Sequence, residues 1–277
     1  MDMIEFLKAV LFGIVEGVTE WLPISSTGHM IILDEVVKLN VSEEFLSMFL
    51  VVIQLGAILA VVLLFWNQLF PFSFKERPYV KKDIFEMWFK IIVSCVPAAV
   101  VGILFEEQLD AWFYNYQTVA VMLILFGVAF IWIENRNAGK DAKITSIAEI
   151  TWKTAFWIGM FQLIAAVFPG TSRSGATILG GIMLGLSRTV AAEYTFFLAV
   201  PVMFGASLLK IVKFGLDFSA PELMILLVGM TVAFVTSIVV IKFLLGYIRK
   251  HDFKVFGWYR IILGIVVLAF FMLRQNG

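Results

Sequence analysis

Glu16 to His29 reads EGVTEWLPISSTGH, and a counterpart from Gln162 to Ala176 reads QLIAAVFPGTSRSGA. Two glutamates, a run of hydroxyl residues and a histidine crowd into the first stretch of a chain that is otherwise strongly apolar. Aligned on their prolines, Pro23 matches Pro169 and Glu16 matches Gln162. Both stretches pass through proline into a small, hydroxyl-rich turn with a glycine. Only about ten apolar residues follow each turn, too few to cross a bilayer core. A turn at membrane depth is tolerated only where protein buries it or it lines a wet cavity. Regions 3–38 and 150–187 are therefore expected to be re-entrant hairpins, each entering and leaving on one side.

The rest of the chain fits that setting. Of 277 residues, 61% are hydrophobic and only 15% charged, against nearer half and a quarter in soluble domains. This composition makes an all-α polytopic membrane protein, with full spans expected at 43–66, 87–106, 116–134, 191–213, 222–248 and 257–273. Helix-start signals support the assignment: Ser42 before Glu43 and Glu44, and capping boxes at Ser219-Ala-Pro-Glu222 and Ser146-Ile-Ala-Glu149. A formal net charge of zero gives no argument for nucleic-acid binding. Cys95, the single cysteine, reads as packing. The N-terminus has no basic leader or small-residue cleavage site, so a removable signal peptide is not expected.

The halves resemble each other beyond the motif. Glu44 precedes Gly56-Ala57 by twelve residues, and Glu193 precedes Gly205-Ala206 by twelve. The chain is expected to be a single membrane domain, 1–277, of two repeats, 1–135 and 146–277. Each repeat holds one re-entrant hairpin and three transmembrane helices. Three is odd, so the second repeat must be inserted upside down, and paired interrupted helices in inverted halves point to a midplane site. Loops 67–86 (Lys75, Arg77, Lys81, Lys82), 135–153 (Arg136, Lys140, Lys143, Lys153) and 249–256 (Arg249, Lys250, Lys254) fall on one side. That side is cytoplasmic by the positive-inside rule, which puts both termini outside. The first hairpin then opens outward and the second toward the cytoplasm. Lys210 and Lys213, at an outer end, go against the trend.

Chemistry concentrates in the two motifs. Glu16 and Glu20, four residues apart, share one helix face. Each buried carboxylate costs roughly 3 kcal/mol at membrane depth unless paired, and a divalent cation such as Mg²⁺, typically held by carboxylates plus substrate phosphates, removes that cost. Ser25, Ser26 and Thr27 open a short helix whose N-terminus attracts anions. His29 lies within helical reach of Ser25 or Ser26 and is a candidate base for a serine nucleophile. Arg173, with Thr171, Ser172 and Ser174, offers a bidentate phosphate grip at the opposing helix start. The alternative for Arg173 is an ion pair with Glu16 or Glu20, and a resting pair can open to admit phosphate. Gln162 is a further candidate hydrogen-bond donor from the second repeat. Gly13-Ile-Val-Glu-Gly17 serves either close packing or a homodimer contact. The residues thus point to a membrane-embedded site for a phosphorylated ligand whose lipid tail stays in the bilayer.

The run EGVTEWLPISSTGH followed by PGTSRSGAT resembles the undecaprenyl-diphosphate phosphatases of the bacitracin-resistance family, in length, motif order and spacing over essentially the whole chain. The resemblance implies hydrolysis of undecaprenyl diphosphate to undecaprenyl phosphate and inorganic phosphate in the bacterial plasma membrane. That reaction recycles the lipid carrier for peptidoglycan synthesis and confers bacitracin resistance. The resemblance also implies inverted repeats with re-entrant segments and a divalent cation, Mg²⁺ or Ca²⁺. Carried over by position, Glu16 and Glu20 are the metal-holding acidic pair, Ser26 and His29 the nucleophile and acid/base, and Arg173 the phosphate-stabilising cation. The active site would open toward the outer face. His29 or an activated water is the rival nucleophile. A polyprenyl-phosphate transporter or flippase is the rival class, because inverted repeats with broken helices also suit transport.

Overall fold

A computed structural model describes residues 2–73 and 79–275, so the Lys75 and Arg77 of the first basic loop lie outside the described residues. The described chain is all helical apart from isolated bridges. Among the described residues six helices or helix pairs are long and apolar enough to cross a membrane: Glu43–Leu64, Lys82–Phe113, Tyr116–Asn137, Arg188–Phe214, Ala220–Ile248 and Lys254–Arg274. They coincide with the six expected spans, most of them extended at one or both ends.

In chain order the helices are α1 (Met3–Thr19), α2 (Ser26–Val36), α3 (Glu43–Val52), α4 (Gln54–Leu64), the short α5 (Trp66–Leu69), α6 (Lys82–Phe113) and α7 (Tyr116–Asn137). There follow α8 (Trp152–Val167), α9 (Arg173–Met183), α10 (Arg188–Phe214), α11 (Ala220–Ile248) and α12 (Lys254–Gln275). The first span is thus divided at Ile53 into α3 and α4. Regions 3–38 and 150–187 each form two helices broken at the proline turn, α1–α2 and α8–α9. With 11 residues apiece, α2 and α9 are about 16 Å long, half a bilayer core.

Several expected starts are observed. Ser42 accepts the Phe45 N–H at 3.1 Å, and Ser219 and Glu222 close a reciprocal capping box. The expected box at Ser146 is not formed. Glu149 accepts the Thr145 N–H at 2.7 Å instead, Ile150 turns inward to be buried, and Thr151 caps α8. Lys210 and Lys213 both pair with Glu106, at 3.2 and 2.6 Å, which gives each of the two lysines a carboxylate partner at that end.

Packing crosses the halves. α1 lies on α11, and α8 lies on α6. Both contacts depend on a glycine at the matching place. A Cβ at Gly13 would meet the Gly229 carbonyl at 2.6 Å, and one at Gly159 would meet the Ser94 carbonyl at 2.5 Å. Gly17 packs likewise against the Ala233 carbonyl. The Gly13–Gly17 stripe is therefore covered by the chain's own α11 and is not open to a second copy. α7 and α12 also pack closely, each of Gly127 and Gly257 facing the other's carbonyl. At one end of α7, buried Glu134 accepts from Arg188 and from the Phe253 N–H, joining α7, α10 and the approach to α12. α9 is enclosed by α7, α8 and α10 and is buried from Ser174 to Ile182.

Candidate functional site

Each broken helix pair brings its turn to the site by the same local device. After Pro23 the backbone enters α2 through Ser25 at φ 75°, and its Oγ accepts the Gly28 N–H at 3.2 Å. After Pro169, Ser172 at φ 68° accepts the Gly175 N–H at 3.1 Å and opens α9. A non-glycine residue in this conformation costs on the order of 1–3 kcal/mol. Serine offsets part of that cost by satisfying an amide left open at the helix start. The second turn is one residue longer, and Gly170 at φ 90° supplies the extra bend, too close to the Val119 carbonyl for any side chain. Ser25 therefore corresponds to Ser172, and Ser26 to Arg173. Each of the latter is the first residue of its short helix.

The two turns meet at Glu20, the C-cap of α1. Its Oε1 accepts from Arg173 Nη2 at 3.0 Å, and its Oε2 accepts from Ser26 Oγ at 2.9 Å. Ser174 Oγ donates to the Glu20 carbonyl at 3.0 Å, a second link between the turns. Arg173 Nη1 donates to the Thr195 carbonyl of α10 at 2.9 Å, and the Thr195 hydroxyl meets that of Thr177 at 2.8 Å. One turn earlier, Glu16 is 1% exposed and its Oε1 has no hydrogen-bond partner. One carboxylate thus touches both a hydroxyl and a guanidinium, with one oxygen of a second carboxylate unpartnered behind it.

That orphaned oxygen is what a cation site here requires. Among the described residues no group of three or more His, Cys, Asp and Glu side chains gathers to enclose a metal. A pair of carboxylates suits Mg²⁺, which is commonly held by one or two of them while substrate phosphates and water complete the shell. Glu16 and Glu20 fit that pattern.

His29 departs from expectation. Its Nδ1 faces the Ser25 carbonyl at 2.7 Å and must carry the proton, while Nε2 meets Tyr259 Oη at 2.7 Å. The ring also stacks on Tyr259, with centroids 5.6 Å apart. The expected contact with Ser26 is absent, because the carbonyl one helical turn back competes for the same imidazole. Gln162 donates to the Ser94 carbonyl at 3.2 Å, so its bond goes to α6 and not to the hydroxyls of the turn. Thr171 is fully buried with its hydroxyl unpartnered, Thr27 is half-buried, and Ser25 and Ser172 serve as caps.

Sequence reasoning passed over Tyr259 and Arg260, both on α12. Both fall within the expected apolar span 257–273, although an arginine inside such a stretch is itself a signal of function. Thr195 was invisible, since it contributes through a backbone carbonyl.

The profile of a protein family described as Bacitracin resistance protein BacA matches residues 9–266. The undecaprenyl-diphosphatase of Desulfitobacterium hafniense is 66% identical over 274 residues, covering 99% of both chains. Undecaprenyl-diphosphatase 1 of Clostridium acetobutylicum is 65% identical, over 99% of this chain and all of its own. An undecaprenyl-diphosphatase of Enterococcus faecalis is 60% identical, over 97% of this chain and 98% of its own.

Proposed function

Because the chain belongs to the bacitracin resistance protein BacA family, we propose that it is an integral membrane phosphatase acting on undecaprenyl diphosphate. It releases inorganic phosphate and undecaprenyl phosphate, recycling the carrier for cell-wall synthesis in the bacterial plasma membrane, and so confers bacitracin resistance. The observation that carries this reading is Glu20 bridging Ser26 and Arg173.

The chemistry follows from that bridge. An incoming diphosphate competes for Arg173, whose planar fork matches phosphate oxygens. The Glu20 carboxylate, relieved of its cation, accepts the Ser26 proton. Ser26 Oγ attacks the terminal phosphorus, and the bond to the departing undecaprenyl phosphate breaks. Arg173 and the open N–H groups at the starts of α2 and α9 hold the charge on the transferring group. Water then cleaves the phosphoserine, releasing phosphate, and the proton on Glu20 returns to the serine oxygen. His29, anchored by Ser25, exchanges a proton through Nε2 at the exposed rim beside Tyr259 and suits the hydrolytic step. Bound Mg²⁺ or Ca²⁺ would supply charge neutralisation on the diphosphate; Glu16 would hold it throughout, with Glu20 joining whenever its carboxylate is ionised. Ser172, Ser174 and Thr27 flank the same helix starts.

The inverted-repeat architecture belongs to this reading. The exchange of α1 and α8 onto opposite halves and the reciprocal Gly127–Gly257 contact support it. Basic loops on one side support an orientation with both termini outside and the site toward the outer face.

The test is phosphate release from purified protein on undecaprenyl diphosphate, together with trapping of labelled phosphate. Label on the wild type and none on Ser26→Ala supports serine attack, whereas label on Ser26→Ala assigns the nucleophile to His29. Transport of polyprenyl phosphate in vesicles without any phosphate release would replace the phosphatase reading with a flippase.

A further inference from the structure

Arg260 is fully buried on α12. Its Nη1 donates to the Pro23 carbonyl at 3.2 Å, and its Nη2 donates to the carbonyls of Gly170 at 3.0 Å and Thr171 at 2.7 Å. Pro23 lies in the turn that launches Ser26, and Gly170 and Thr171 lie in the turn that launches Arg173. Among the described residues no carboxylate pairs with this arginine. Its guanidinium instead sits 5.7 Å over the Phe126 ring, and Nε is unpartnered.

A buried cation at membrane depth is costly and calls for a reason. Packing alone would favour an apolar side chain, and an ion pair would need an acid. What Arg260 does is reach carbonyls on two separate segments with one rigid fork, which the point charge of lysine cannot reproduce. The carbonyls are unrelated in sequence, yet each lies two or three residues before a first helical residue of the site. We infer that Arg260 is a positioning residue that sets the separation of Ser26 and Arg173 by clamping both turns. This rests on the phosphatase reading for its kinetic consequence, but the clamp itself is also readable without turnover.

Two substitutions test it. Arg260→Lys keeps the charge and removes the fork. Gly175→Ala keeps Arg260 and introduces a methyl whose carbon would lie 2.8 Å from Nη1, at a helical position where alanine is favourable. In full-length protein, either change is expected to lower kcat about 100-fold, as a small misplacement of reacting groups does. KM stays within about threefold. The melting midpoint falls but stays well above the assay temperature, so the loss of rate is not unfolding. The double variant is no slower than Arg260→Lys alone, because both act on one contact. Amide exchange in Arg260→Lys rises about tenfold in both turns, 20–28 and 168–176, and stays unchanged in 43–52.

Full kcat in folded Arg260→Lys, or exchange unchanged in either turn, overturns the assignment. If Arg260→Lys fails to fold, full kcat in Gly175→Ala overturns it. Absence of phosphate release by the wild type overturns the phosphatase reading alone, and the exchange result then decides the clamp.

Discussion

Glu20 Oε1 and Arg173 Nη2 lie 3.0 Å apart although 153 positions separate them, and their side chains are only 6% and 12% exposed. Each half of the chain contributes one charge. Neither charge is favourable at that burial without a partner, so the contact ties the two halves of the chain together.

Removing either partner leaves the other charge buried and unpaired, at a cost of about 3–5 kcal/mol. Glu20→Gln and Arg173→Gln are each expected to lower the melting midpoint in detergent. The double variant melts above both singles, while its phosphate release stays at least about 100-fold below wild type. Thermal unfolding and a phosphate assay on the same preparations check both halves of this expectation.

Gly170 is irreplaceable for two reasons that add. Alanine there would hold a left-handed backbone at about 1–2 kcal/mol, and its Cβ would lie 2.4 Å from the Val119 carbonyl. With the added overpacking, Gly170→Ala is expected to cost about 2–5 kcal/mol. Gly102→Ala in α6 meets nothing within 4 Å and should be neutral or slightly stabilising. Comparing the two melting midpoints isolates the turn.

Glu134→Ala separates stability from activity. Arg188 is 40% exposed, so its pairing with Glu134 contributes little by itself. The buried Phe253 N–H loses its acceptor, which costs about 1–3 kcal/mol. The melting midpoint should fall, while kcat/KM of the folded protein stays within about threefold of wild type, since no residue of the site is touched.

Glu16 gives the metal prediction. EDTA is expected to abolish phosphate release, and added Mg²⁺ or Ca²⁺ to restore it. In Glu16→Gln the half-saturating cation concentration should rise at least about tenfold, the change that even outer-shell partners of a metal command. Titrating activity with cation in both proteins measures the shift.

Much of this was legible in the sequence, and the omissions have physical causes. The six spans follow from apolar length, and Ser42 and Ser219 from cap chemistry. Both proline turns and the membership of Glu20, Ser26 and Arg173 in a single cluster follow from the cost of stranded charge. The Ser26–His29 contact was not legible correctly, because spacing alone does not reveal that a backbone carbonyl outcompetes a hydroxyl for the imidazole. Pairing on the prolines holds up to the turns, but beyond them Ser25 pairs with Ser172 because the second turn holds one residue more, Gly170. Arg260 was hidden by the apolar company it keeps.

Ser26 and Arg173 occupy the same position of two alike turns, each the first residue of its short helix. Two chains of identical sequence meeting by symmetry would face like with like across such a junction, hydroxyl on hydroxyl or guanidinium on guanidinium. A single polypeptide that spells out each turn separately can set unlike side chains there, and Glu20 spans that asymmetry.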